Sequence, residues 1–127
     1  MLALAFHSRL SLAWNTVGME SDSFSAFSRS IELNGHLQFL DLSNNELSPS
    51  NGKTLSESLK NNGTLKSVDL RSNHLGLSGG SALLKMLKKN HSISSLQLSG
   101  NQIPNETMEA IGKQHFECIF IIQYVSL

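Results

Sequence analysis

Two carboxylates, Asp41 and Asp69, occupy matching places in LDLSN at 40–44 and VDLRS at 68–72. If neighbouring strands carry them, their strand axes lie about 4.8 Å apart, close enough for one to act as acid and the other as base. Five histidines, a single cysteine and a glycine-rich run are the other groups with chemistry to offer. His7, His36, His74, His91 and His115 show no H-x-x-x-H spacing and no cysteine pair accompanies them, so no metal site is expected. The run GLSGGS at 76–81 lacks the lysine and following hydroxyl of G-x-x-x-x-G-K-[ST] and reads as a turn and helix start. No G-x-S-x-G elbow occurs, and no base can be nominated for Cys118. A carboxylate pair on a shallow open face lacks the water exclusion that acid and base work uses. The residues point away from an enzyme, and no cofactor is expected.

The element that must position Asp41 and Asp69 is a repeat. LQFLDLSNNEL at 37–47 recurs as LKSVDLRSNHL at 65–75 and as ISSLQLSGNQI at 93–103, always at the same step. The wording L-x-x-L-x-L-x-x-N-x-L at such a period is that of a leucine-rich repeat solenoid. An earlier copy lies in RLSLAWNTV, with Leu10, Leu12, Asn15 and Val17 in the same roles, but Asn15 stands two positions further from Asn45 than the period requires. The insertion falls between Val17 and Phe27, in a polar turn able to absorb it. Between strands the apolar period lengthens toward 3.6: Leu55 and Leu59 share a helix face, as do Leu83 and Leu87, and Phe27 and Ile31 before them. Ile111 continues this stripe and His115 breaks it. Asn34-Gly35 and Asn62-Gly63 are expected to close their helices in the left-handed conformation. The fold class is therefore α/β, with a curved parallel sheet on the concave face and helices on the convex one. Residues 1–127 are expected to form one domain, with repeats at about 7–36, 37–64, 65–92 and 93–115 and a divergent tail at 116–127.

Where each strand ends and the chain turns, buried backbone groups lose their sheet partners. An inward asparagine can both donate to them and accept from them. Asn15, Asn45, Asn73 and Asn101 are accordingly read as a structural ladder. Side chains alternate along a strand, so three other ladders face outward across the concave surface. One runs Arg9, Phe39, Ser67, Ser95, the next Ser11, Asp41, Asp69, Gln97, and the third Ala13, Ser43, Arg71, Ser99. Phe39, Asp41, Asp69, Arg71 and Gln97 are the expected protein-binding set, because aromatics and arginine dominate binding energy at interfaces.

Ten Lys and Arg balance ten Asp and Glu, so no net field draws the chain toward nucleic acid or an anionic membrane. One cysteine excludes an internal disulfide framework and fits a reducing, cytoplasmic setting. MLALAF at the start lacks a basic n-region, and CIFIIQYVSL at the end falls well short of the roughly 20 residues a membrane-spanning helix needs. Self-association through uncovered ends is expected, since Leu10 and Leu12 have no earlier repeat to cover them. SPS at 48–50 reads as an exposed turn. Of three N-x-[ST] sequons, at Asn62, Asn90 and Asn105, the first two lie one period apart and are explained by the repeat.

The 28-residue period with a helix in every repeat resembles the ribonuclease-inhibitor-like class of leucine-rich repeats. Within that class LAWNTVG, LDLSNNELS and above all NHLGLSGGSALL resemble the repeat region of centrosome-cohesion proteins, components of the linker joining two centrioles. The double glycine after the turn is the most specific element of the likeness. The resemblance implies protein partners among centrosomal linker components. Such proteins carry a coiled coil beyond the repeats, whereas no a/d heptads occur in these residues, so the chain is expected to correspond to the repeat region alone. The alternative is a fragment of another repeat protein of this class, such as the sensing region of an innate immune receptor.

Overall fold

The computed structural model describes residues 8–114. His115, Cys118 and the tail at 116–127 lie outside the described residues, as do His7 and MLALAF. The chain runs β1 (Arg9–Ser11), α1 (Ser21–Leu33), β2 (Phe39–Asp41), α2 (Pro49–Lys60), β3 (Ser67–Asp69), α3 (Gly76–Leu87), β4 (Ser95–Gln97) and α4 (Asn105–Gly112). The strands form one parallel sheet in sequence order, β1-β2-β3-β4, with a helix connecting each to the next. Register follows the sequence period: Leu40 pairs with Leu10 and Val68, and Val68 with Leu96.

Each strand is three residues long, shorter than the alternating stretch that encodes it. Backbone pairing nonetheless continues into the turns, where Leu42 N–H donates to Asp69 O at 2.8 Å and Asn44 N–H to Arg71 O at 3.0 Å. Behind the sheet every repeat contributes the same inward set. Leu37, Leu40, Leu42 and Leu47 are buried, as are Leu65, Val68, Leu70 and Leu75 one period on, and Ile93, Leu96, Leu98 and Ile103 after them. Helix residues Leu55, Leu59, Leu83, Leu87 and Ile111 close this core from the other side. Each such side chain gains roughly 1.5–3 kcal/mol from leaving water.

The first helix departs from expectation. A 3-10 turn at Val17–Met19 takes up the two-residue insertion, and α1 then begins at Ser21. Ile31 is fully buried in the Leu59 role, but Phe27 is only half-buried and Phe24, one turn earlier, fills the inner seat at 1% exposure. Phe27 packs its ring 6.0 Å from that of Phe24. Among the described residues α1 has a helical neighbour on one side only, which leaves the outer part of its apolar stripe at the edge.

Two local expectations are corrected. SPS is the start of α2 rather than a free turn: Ser48 Oγ accepts from Asn51 N–H at 3.1 Å, and Asn51 Oδ1 accepts from Ser48 N–H at 2.9 Å. This reciprocal cap is followed by Pro49, whose fixed φ suits the first helical position. Ser48→Ala is expected to lower stability by about 1 kcal/mol in urea denaturation, whereas alanine at exposed Ser50 should be nearly neutral.

Nor are the helices closed by left-handed residues. Asn34 has φ −77°, and among the described glycines only Gly76 and Gly100 take positive φ. The asparagine side chains close the helices instead. Asn62 Nδ2 donates to Ile31 O at 2.8 Å and Asn34 O at 3.2 Å, while its Oδ1 accepts from Thr64 and Leu65 N–H. Asn90 repeats the pattern one period later, donating to Leu59 O and Asn62 O and accepting from Ser92 and Ile93 N–H. A side chain that bridges two helix ends joins repeat to repeat, which a left-handed glycine cannot do. It also disposes of two sequons: Asn62 and Asn90 are buried with their amide nitrogens engaged, so neither is open to glycan attachment in the folded chain.

Candidate protein-binding face

The strand ends carry both the asparagine ladder and the outward residues. Asn73 lies 1% exposed between two repeats. Its Nδ2 donates to Leu42 O and Leu70 O, each at 3.0 Å, and its Oδ1 accepts from Asn45 N–H at 2.9 Å and Leu47 N–H at 3.0 Å. Asn45 reaches back in the same way, donating to Leu12 O and accepting from Val17 N–H. Asn101 donates to Leu70 O and accepts from Leu75 N–H. Asn15 is different. It is exposed and donates only to Leu12 O and Ala13 O within its own turn.

The outward set meets on the sheet face. Arg9 lays its guanidinium 4.0 Å from the centre of the Phe39 ring, a cation–π contact across β1 and β2. Phe39 is 37% exposed. Asp41 and Asp69 are register neighbours on β2 and β3, as expected. They do not form a free acid–base pair. Asp41 Oδ1 accepts from Ser43 N–H at 2.9 Å and Ser43 Oγ at 2.7 Å, and its Oδ2 from Ser11 Oγ at 3.3 Å. Asp69 Oδ1 likewise accepts from Arg71 N–H at 3.0 Å, and Arg71 Nη2 reaches its Oδ2 at 2.7 Å. Each carboxylate thus shapes the turn two residues ahead, the local bonding aspartate favours.

The hydrogen bond to Asp69 raises the pKa of Arg71 above its ordinary value, with the charges of Asp69 and then Asp41 adding to it. Arg71, a cation at any physiological pH, remains half-exposed on this surface. Arg9, Phe39, Asp41, Asp69 and Gln97 line one shallow depression of about 520 Å³. Arg71 flanks this depression through its pair with Asp69. No group of three or more His, Cys, Asp or Glu that could hold a metal ion occurs among the described residues. No helix among them is long and apolar enough to cross a membrane.

Sequence reasoning missed Trp14. It is 80% exposed and sits at φ 63°, in the turn position that Asn44, Ser72 and Gly100 occupy at 56°, 57° and 75° in later repeats. This left-handed position suits glycine or asparagine and costs a bulky residue about 1 kcal/mol. The available signal was the alignment itself, because an indole standing where later repeats carry small polar residues or glycine has no role in the turn.

Leucine-rich repeat family models match residues 36–62 in one case and residues 61–84 and 89–112 in another. With the repeated strand, turn and helix, these matches define the chain as a leucine-rich repeat protein. Among solved structures it is similar to leiomodin-1 actin-binding site 2, with a TM-score of 0.77 and 20% identity over 97% of this chain and 73% of that one. It is similar also to the tropomodulin C-terminal domain from Caenorhabditis elegans, with a TM-score of 0.77 and 15% identity over 97% of this chain and 75% of that one. Likeness at such identities is a likeness of fold. No curated protein matches the chain significantly, so the narrower resemblance to centriole-linker proteins gains nothing from these comparisons.

Proposed function

We propose that the chain is a non-catalytic, intracellular protein-binding module that docks its partner on the sheet face. The observation that carries this reading is the pairing of Arg9 with exposed Phe39 beside the Asp69–Arg71 ion pair on adjacent parallel strands. An aromatic and two arginines held by a preformed sheet lose little ordering entropy on association. Gln97 and Asp41 supply polar rim contacts.

The finer proposal is that the partner is a component of the centriole linker and the chain acts in centrosome cohesion. It rests on the sequence resemblance alone. Leiomodin-1 site 2 is named for actin binding, which makes actin the competing partner. Because Asp41 and Asp69 hold turns, Phe39→Ala and Arg71→Ala test the face with less disturbance of the fold. Proximity labelling in dividing cells is expected to recover centrosomal neighbours for the parent chain and to lose them for the double variant. Equal recovery by both would overturn the sheet face as the docking surface. Binding of the purified chain to actin, without centrosomal neighbours in cells, would overturn the centrosomal reading and leave protein binding standing.

A further inference from the structure

The formal charge of the chain is zero, yet its charges are not evenly spread. On the helical side, away from the sheet face, a groove of about 730 Å³ runs between α2 and α3. Lys53, Lys60, Lys85, Lys88 and Lys89 line it, with Glu57 as the one carboxylate among the lining residues. Glu57 is already engaged by Lys60 at 3.0 Å. Four of the five lysines lining the groove therefore have no carboxylate partner among its lining residues.

Helix dipoles explain some of this charge and not all of it. Lys60 and Lys85 lie in the last turns of α2 and α3, where a cation complements the helix end. Lys88 directly follows α3 and benefits in the same way. Lys53 has no such reason, because it stands outside the last turn of α2. The groove is also not purely polar. Leu77 in the first turn of α3 is 59% exposed and lines it together with Ala82 and Met86.

We propose that this groove binds an acidic, amphipathic segment of a protein partner, with carboxylates on the lysines and an apolar side chain against exposed Leu77. Charge complementarity selects the sign of the occupant, and the apolar lining selects its class. A single nucleic-acid strand would call for stacking aromatics beside the cations, and no aromatic lines the groove. The groove volume falls in the usual range for a recessed site of about 300–1,000 Å³, enough to seat a few side chains of a peptide. This surface lies on the opposite side of the repeats from the sheet face, so the two can be tested independently.

The test uses the full chain and a fluorescein-labelled peptide of glutamates with leucine at every fourth position, followed by anisotropy at about 50 mM salt, where screening is modest. The same titration is run with a glutamine-for-glutamate peptide, with phosphatidylserine vesicles and with single-stranded RNA. The glutamate peptide is expected to bind and the glutamine peptide not to. Lys53→Glu with Lys85→Glu is expected to weaken binding at least about tenfold, and Leu77→Ser several-fold. Arg29→Glu with Lys113→Glu makes the same change in net charge outside the groove and is expected to bind like the parent chain. Unchanged binding by the groove variants overturns the proposal, as does equal weakening by the control pair. Absence of binding to the glutamate peptide, or tighter binding of vesicles or RNA, overturns it as well.

Discussion

Replacing Asn73 by alanine is expected to destabilise the protein by about 3 kcal/mol, the cost of stranding more than one buried backbone group. The N–H groups of Asn45 and Leu47 both donate to Asn73 Oδ1, and Leu42 O and Leu70 O both accept from its Nδ2. These groups belong to two successive repeats, so the loss falls on the joint between repeats as well as on one turn. Asn15→Ala removes only bonds within one exposed turn and should cost less than about 1 kcal/mol. Urea denaturation of both variants, compared with the parent at matched slope, measures the difference. Equal losses would mean that the amides act one turn at a time and not as a chain across the repeats.

The second large effect is expected at the double glycine of α3. A Cβ on Gly80 would lie 2.8 Å from Ile103 Cγ2 and 3.3 Å from Thr107 Cγ2, and one on Gly79 would lie 2.8 Å from Leu75 Cβ. Gly52 of α2 faces Gly79, since its own added Cβ would come within 3.1 Å of Gly79 Cα. Small residues at this crossing set how closely the helices stack from repeat to repeat. Gly80→Val should therefore overpack the joint between α3 and the segment holding Ile103 and α4, at a cost of about 2–3 kcal/mol. Gly63→Ala is the control. No atom lies within 4 Å of its added Cβ and its φ is not left-handed, so alanine there should be neutral or stabilise by up to about 1 kcal/mol. Thermal unfolding of the two variants reads both signs, and a Gly80→Val protein as stable as the parent would show that the helices yield at this crossing.

The repeat wording was enough to place the four strands, their parallel order and their register, because each repeat buries the same side chains against the next. An inward leucine has one side on which to leave water, so its spacing encodes the sheet directly. The outward residues were legible for the same reason: alternation put Phe39, Asp41, Asp69 and Gln97 on one face, where they stand. What those residues do there required the tertiary structure. Arg71 could pair with either aspartate by sequence, and only the turn geometry joins it to Asp69 while Ser43 and Ser11 take Asp41. The double glycine looked like an addition to the repeat because its reason lies in two neighbouring helices, not in its own. Asn62 looked like a helix stop and Asn90 like a sequon repeated by the period, whereas their amides bond to carbonyls of the preceding repeat. Local periodicity determined which side each residue faces. Close approach between repeats decided which partner it finds there, because packing distances depend on all the side chains at a joint together.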